Sequence, residues 1–178
     1  MVRDGEIRPP APWPPQVGEQ GKKSIALHVT EVGRRGGRSE GASAAIAGVI
    51  HAQAIKAYTE SGLFSSVVTT GERTDLEAEI TIIEAGEEGL SWPAALSAFT
   101  FTMIPGYIPQ DLIVKTSYKD REKKVIGVIE KKEGLGFWVQ FFLVFSMPFG
   151  DGPDTITDTA QYDMHKVTIV TARSNAYF

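Results

Sequence analysis

The sequence of 178 residues contains no cysteine. That absence excludes disulfide bonds, thiolate nucleophiles and thiolate-ligated zinc sites. It leaves the compartment open, because a domain without cysteine is stable in reducing and in oxidising surroundings. A basic excess is also lacking: 18 basic and 22 acidic side chains give a net charge of -4. This balance argues against a protein that binds nucleic acid mainly through its phosphates.

No apolar run reaches the roughly 20 residues that a membrane-spanning helix needs. The N-terminus lacks a positively charged segment followed by an apolar stretch, which is the pattern of a signal peptide. We therefore expect either a cytoplasmic protein or a chain from which a targeting segment has been removed. No residue pattern indicates a cofactor.

The first 22 residues differ in composition from the rest. Five prolines, at positions 9, 10, 12, 14 and 15, favour an extended and poorly packed segment. We predict a flexible proline-rich leader over residues 1–22 and a single domain over residues 23–178. Trp13 within the leader either docks on the domain or is an exposed aromatic residue.

The first half of the predicted domain contains one strand and one helix. Apolar residues alternate from Lys23 to Val32, which is typical of a strand. A glycine-rich loop is predicted from Gly33 to Gly41, and Ala42–Ser61 has the apolar stripe of a helix that lies on a sheet. Gly62 is expected to end this helix.

Period-two alternation then dominates, and proline at positions 105 and 109 is expected to interrupt the sheet, because proline cannot donate to a strand ladder. The turn at Asp120, Arg121 and Glu122 is short enough for a hairpin. The predicted strands are Ser66–Thr70, Leu76–Glu84, Ala98–Ile104, Leu112–Tyr118, Val125–Glu133 and Phe137–Phe145.

The last segment, Asp154–Ala172, fits a helix better than a strand, although its β-branched residues allow either. The order of elements predicts an α+β fold: a mostly antiparallel sheet with two helices packed on one face, in a single domain.

An apolar run from Gly134 to Phe149 lies near the end of the chain. Its aromatic side chains either belong to the core or form a ligand groove, a lipid-facing surface or a partner-facing surface. These candidate interaction residues are Trp138, Phe141, Phe142, Phe145 and Phe149.

One short match to a catalytic motif occurs. Residues 37–41 fit the G-x-S-x-G pattern of a nucleophile elbow, with Ser39 as the nucleophile. Asp158 or Asp163 and then His165 would complete a triad in chain order. In a true elbow the serine follows the strand directly, whereas Gly33–Gly36 intervene here, and the alternating β/α pattern of that hydrolase fold is missing. A plain loop is the better interpretation.

The same loop could instead hold an anion. A helix N-terminus follows three arginines, Arg34, Arg35 and Arg38. The loop matches neither the P-loop pattern of nucleotide-binding proteins nor the G-x-G-x-x-G pattern of dinucleotide-binding proteins. The other polar residues do not indicate a catalytic or metal site. The three histidines have no histidine or carboxylate at the spacing of metal ligands, so no metal site is expected. Asp75, Glu77 and Glu79 are predicted to lie on the solvent-exposed face of a strand.

Three motifs give the chain a family resemblance: Ser61–Val67 after the alanine-rich helix, Ile104–Tyr107 after an aromatic strand, and Met147–Phe149 after the aromatic run. With the element order, they resemble a group of bacterial cell-envelope lipoproteins of unassigned function. The resemblance implies a domain that binds envelope partners or glycolipids without catalysis. It also implies acylation on a cysteine behind a signal peptide, with the proline-rich leader as the tether.

These observations lead to one preferred hypothesis. The chain is expected to be a non-catalytic, periplasm-facing lipoprotein-like domain that binds an envelope protein or lipid through its sheet or aromatic segment. A lipid absent from this sequence would anchor it to the outer membrane. The alternatives are a small serine hydrolase using Ser39, an anion-binding domain using the Gly33–Gly41 loop, and a cytoplasmic location.

Overall fold

In the part of the chain that the structure describes, two helices and one mixed sheet make up the fold. The computed structural model describes residues 2–16, 21–35, 38–41, 44–69, 73–86, 99, 106–139 and 153–178. The helices are α1 (Ala44–Glu60) and α2 (Pro153–Ser174). The strands are β1 (Val2–Arg3), β2 (Ser24–Arg35), β3 (Arg38–Gly41), β4 (Ser66–Val68), β5 (Leu76–Gly86), β6 (Gly106–Asp120) and β7 (Val125–Val139).

The described strands form one seven-stranded sheet in the order β1-β7-β6-β5-β2-β3, with β4 also paired to β2. Strand β2 runs parallel to both β4 and β5, and the other neighbours are antiparallel. The prediction of an α+β domain with two helices is confirmed, but the sheet is mixed and not mostly antiparallel. The reason is that α1 lies between β2 and β5 and carries the chain back to the same end of the sheet, as parallel pairing requires.

The core lies between the helices and one sheet face. Along β5, Leu76, Ala78, Ile80 and Ile82 are buried, as expected when alternate side chains of a strand point to one face. Their register partners in β6 include Tyr118 and Val114. From the helices, the buried apolar contacts come from Ala54, Ala57, Tyr58, Ala160, Met164, Ile169 and Ala172. We call this sheet face the covered face.

Helix α1 ends where the sequence predicts. Gly62 adopts a φ of 64°, in the left-handed region that favours glycine. Phe64 then returns to the core and stacks on Tyr58, with ring centroids 5.7 Å apart. The segment Asp154–Ala172, for which a strand was the alternative, is confirmed as a helix.

Three local predictions in the sheet are wrong. Pro109 lies within β6, opposite Gly136, and does not interrupt the strand. Strand β7 continues through Gly134–Gly136, so Phe137–Val139 belongs to the same strand as Val125. Within the predicted Gly33–Gly41 loop, residues 33–35 extend β2 and residues 38–41 form β3, and the two strands pair antiparallel; residues 36 and 37 lie outside the described part. The alternation of apolar and polar residues along one segment does not show which strands pair with it, and in each of these three cases the pairing extends the strand. The predicted strand at 98–104 lies outside the described residues, apart from Phe99.

Residues 2–16 contact the domain at several points. The Arg3 guanidinium donates to Glu133 in β7 at 2.7 Å and to Asp163 in α2 at 2.9 Å. The Ile7 amide donates to the other Glu133 oxygen at 3.0 Å. Trp13 packs against the core, which is the docked alternative for this residue. The boundary at residue 22 and the flexibility of the leader stay predictions.

Candidate functional site

The sheet face opposite the helices carries several exposed side chains. We call it the open face, because no helix packs on it in the described part of the chain. Its side chains alternate with those of the core and are mainly charged or small. They include His28, Thr30, Glu77, Glu79, Lys115, Lys119, Val125, Val128, Glu130 and Lys132.

A group of aliphatic side chains lies at the start of β7. Val125, Ile126 and Val128 are 50%, 37% and 48% exposed. The register between β6 and β7 shifts at Tyr118 and Lys119, where a bulge leaves Ile126 without a register partner. We call these three residues the aliphatic patch. It lies next to charged residues and therefore has the composition of a small interface centre with a polar rim.

Ion pairs cover much of the rest of the open face. Lys119 pairs with Glu79 across neighbouring strands, and Lys132 donates to Asp111 at 2.8 Å. The hydrogen bond to Asp111 raises the pKa of Lys132. Pairs of this kind between exposed side chains contribute little to stability, because water screens them. They define a charged surface and do not hold the fold together.

A cleft of about 460 Å³ lies at the end of this face, where β2 and β5 begin and where β6 turns into β7. Its volume lies within the range of about 300–1,000 Å³ that is typical of ligand pockets. The lining residues are Ala26, His28, Arg73, Thr74, Leu76, Glu77, Asp120, Arg121 and Lys123. Ala26 and Leu76 are buried, and the other lining residues are polar or charged.

Hydrogen bonds between Asp75 and Ser24 fix one wall of the cleft. Asp75 accepts hydrogen bonds from the Ser24 amide at 2.9 Å and from the Ser24 hydroxyl at 2.8 Å. It also pairs with Arg121. The Ser24 backbone bond, then the Ser24 hydroxyl and Arg121, lower the pKa of the Asp75 carboxyl. These contacts hold the segment that carries Arg73 against the start of β2.

The turn between β6 and β7 forms a neighbouring part of the cleft, since Asp120 is in register with Leu76. Asp120 accepts hydrogen bonds from the amides of Glu122 at 3.0 Å and Lys124 at 2.9 Å, which closes the hairpin. Lys123 has a φ of 64°, an uncommon value outside glycine, and its ammonium group reaches Glu77. That contact, as the first cause, lowers the pKa of Glu77. His28 approaches the other Glu77 oxygen at 3.3 Å.

The aromatic candidates are only partly described. Trp138 lies at the end of β7, in register with Tyr107 of β6. Phe141, Phe142, Phe145 and Phe149 lie outside the described residues. Whether this run belongs to the core or to an interface stays a prediction.

The candidate anion residues lie in the hairpin of β2 and β3. Arg34 is in register with Ser39, and Arg35 with Arg38. These positions are strand residues, so the described backbone does not form the loop that the anion hypothesis assumed. Ser39 likewise lies within β3 and not on a strand-to-helix turn, which a nucleophile elbow requires.

The remaining triad candidates do not contact one another. Asp163 binds Arg3 at 2.9 Å and Lys166 at 2.8 Å. His165 is fully buried, and neither ring nitrogen has a hydrogen-bond partner among the described residues. Burial lowers the pKa of His165 to about 4. A general base needs an orienting hydrogen bond, which the described residues do not give this histidine.

The sequence did not single out the cleft. Glu77 was predicted on the wet face of β5, but Lys123 and His28 cover it and leave 8% of it exposed. Arg73, Arg121 and Lys123 had no distinguishing motif. One signal could have indicated the cleft. The turn at residues 121–124 is rich in basic residues, and acidic residues alternate with apolar ones along β5. The two come together only if the hairpin pairs with β5.

Two further properties bear on the class of site. Within the described ranges, no group of three histidine or carboxylate residues is placed to hold a metal ion. No helix there combines the length and apolar character that crossing a membrane requires.

No protein-family model matches the chain, and no curated protein matches it. Solved structures with a similar arrangement include a minor lipoprotein from Acinetobacter baumannii, at a TM-score of 0.47 and 9% identity, covering 87% of this chain and 95% of that chain. Rare lipoprotein B from Shewanella oneidensis has a TM-score of 0.43 and 7% identity, covering 86% and 99%.

A homolog of the neuraminyllactose-binding hemagglutinin from Helicobacter pylori is similar at a TM-score of 0.41 and 9% identity, covering 89% of this chain and 90% of that chain. These three likenesses are too distant to establish a family or a function for the chain.

Proposed function

We propose that the chain is a non-catalytic, envelope-associated domain of lipoprotein type that binds another envelope component through the open face of its sheet. The observation that carries the proposal is the aliphatic patch: three exposed apolar side chains together on a face that no described helix covers. Exposed apolar groups rimmed by charges are the usual composition of a docking surface. The motif resemblance to cell-envelope lipoproteins supports the location.

The aromatic segment from Trp138 to Phe149 would provide a second contact region. Trp138 lies near the other end of β7 from the patch, about 33 Å from Val128, and β6 pairs with β7 along this length. By the same proposal, the domain faces the periplasm and hangs from the outer membrane by its leader and a lipid.

A photo-crosslinking amino acid at Val125 tests the docking surface in cells. We expect a discrete crosslinked product with an envelope protein or lipid, because Val125 is half exposed. The matched control is the same amino acid at Thr59, an exposed position of α1. Equal products from both positions, or none from Val125, would contradict docking through the open face.

The non-catalytic part has a separate test. A fluorophosphonate probe labels activated serine nucleophiles, and we expect no labelling of the folded chain. Labelling that disappears in Ser39→Ala would overturn this part and establish the hydrolase alternative.

A further inference from the structure

We infer that the cleft at the end of the sheet binds a phosphate group, carried either by a small soluble molecule or by a lipid headgroup. This inference goes beyond the proposed docking surface, because it assigns a second site with its own ligand chemistry. It rests on the charges and hydrogen-bonding capacity of the lining residues.

Among the lining residues that the structure describes, three cations face two carboxylates. The cations are Arg73, Arg121 and Lys123, and the carboxylates are Glu77 and Asp120. A third carboxylate, Asp75, borders the cleft and pairs with Arg121. The chain as a whole has the opposite balance, with a net charge of -4. A basic cleft in an acidic protein attracts anions locally.

The carboxylates of the cleft are already engaged. Both oxygens of Glu77 have a partner: one contacts the Lys123 ammonium group, and the other lies 3.3 Å from Nε2 of His28. Asp120 accepts two amide hydrogen bonds of the hairpin turn. Lys123 therefore compensates the charge of Glu77, whereas Asp120 uses only its Oδ1 oxygen in the turn.

The cations retain unused donors. Arg121 donates one N–H to Asp75 out of the five that a guanidinium carries. Lys123 donates one N–H to Glu77 out of three. Arg73 has no ion-pair partner among the described residues. Several spare donors on two guanidinium groups and an ammonium match the multiple oxygens of a phosphate better than a single carboxylate.

The site is distinct from the anion hypothesis based on the sequence. Ala26 lines the cleft, whereas Arg34 lies eight residues further along the same strand, which places the two about 26 Å apart. Substitutions in the two regions can therefore be interpreted independently.

Binding of inorganic phosphate and glycerol 3-phosphate by the full chain tests the inference, with chloride adjusted to hold ionic strength constant. We expect saturable binding by calorimetry and a higher melting temperature. Arg73→Ala should weaken binding about tenfold, the effect of losing one charge-assisted hydrogen bond. Glu77→Gln should tighten it, because it frees Lys123.

The matched control is Lys132→Ala, which removes a cation from the same face but outside the cleft, and it should leave the dissociation constant unchanged within about twofold. Arg73 is exposed, so its loss should not disturb folding. Equal losses in Arg73→Ala and Lys132→Ala would show general charge attraction and overturn the site.

Vesicles distinguish the two sources of phosphate. Phosphatidylcholine vesicles with and without phosphatidic acid are sedimented with the wild-type chain and with Arg73→Ala. Binding that needs both phosphatidic acid and Arg73 assigns the site to a lipid headgroup. Binding of glycerol 3-phosphate without vesicle binding assigns it to a soluble ligand. If neither binds, the inference is wrong.

Discussion

On the covered face, Tyr58 and Tyr118 bury their hydroxyl groups against each other at 2.6 Å, whereas on the open face Glu79 meets Lys119 in an ion pair that solvent reaches. The first arrangement is fixed, because neither hydroxyl can leave its partner without losing a hydrogen bond in the core. The second is adaptable, because water can replace either partner.

The difference teaches where stability and binding capacity lie in this fold. Packing against α1 and α2 holds the covered face in one arrangement. The open face contributes little to that packing, so its charges and its aliphatic patch remain available for other molecules. The following predictions test this division, from the largest expected effect to the smallest.

Neighbouring residues of β7 point to opposite faces and give a matched pair. Ile129 is 6% exposed on the covered face, and Val128 is 48% exposed on the open face. Ile129→Ala should lower the free energy of unfolding by about 3 to 4 kcal/mol, through lost burial and a cavity. Val128→Ala should cost less than about 1 kcal/mol. Chemical denaturation measures both, and similar costs would break the comparison.

Helix α2 carries a buried histidine, His165, whose ring nitrogens have no hydrogen-bond partner among the described residues, and its burial should make stability depend on pH. His165 is buried and neutral, and burial lowers its pKa from 6.5 to about 4. Between these values the unfolded chain binds a proton that the folded chain does not. Stability is therefore complete above pH 6.5 and falls by about 3 kcal/mol as the pH drops towards 4.

His165→Leu should remove this part of the pH dependence. Denaturation curves of wild type and variant, recorded above pH 6.5 and again near pH 4, give the difference. The loss of unpartnered ring nitrogens should cost little at the higher pH. Parallel pH profiles for the two proteins would mean that His165 is not buried in the folded state.

The tyrosine pair should give a smaller effect. Tyr58→Phe leaves the buried Tyr118 hydroxyl without its partner and should cost about 1 to 2 kcal/mol. Adding Tyr118→Phe should cost less than the sum of the two single changes, because the double variant leaves no orphaned group. Strict additivity in this double-mutant cycle would show that the two hydroxyls do not interact.

The ion pairs of the open face should give the smallest effect. Lys119→Ala removes the partner of Glu79 and should change the free energy of unfolding by no more than about 1 kcal/mol. The measurement is again chemical denaturation, with and without added salt. A loss comparable to that of Ile129→Ala would show that charge on this face is structural.

The sequence predicted those features that depend on neighbours along the chain. The stripe of α1, the glycine at its end and the alternation of β5 follow from residues within one element. The parallel pairing of β2 with β5 did not follow, because alternation is the same in parallel and antiparallel strands. The prediction that Pro109 interrupts the sheet was wrong for a related reason. A missing N–H breaks a strand only where that N–H would donate to a neighbouring strand, and this depends on how β6 pairs in the sheet.

The cleft was beyond local analysis because its walls are distant in sequence. His28 comes from β2, Arg73 from the segment before β5, and Lys123 from the β6–β7 turn. Their proximity depends on the strand order and on the hairpin register. The buried Glu77 shows the same limit: its burial comes from Lys123, which is 46 residues away.

The most direct test of the division between the faces is Val128→Asp in the chain that carries the crosslinker at Val125. We predict an unchanged melting temperature together with loss of the crosslinked product, because a carboxylate on an exposed face is solvated but does not fit an apolar contact. A large drop in melting temperature would contradict the account, since it would place Val128 in the core.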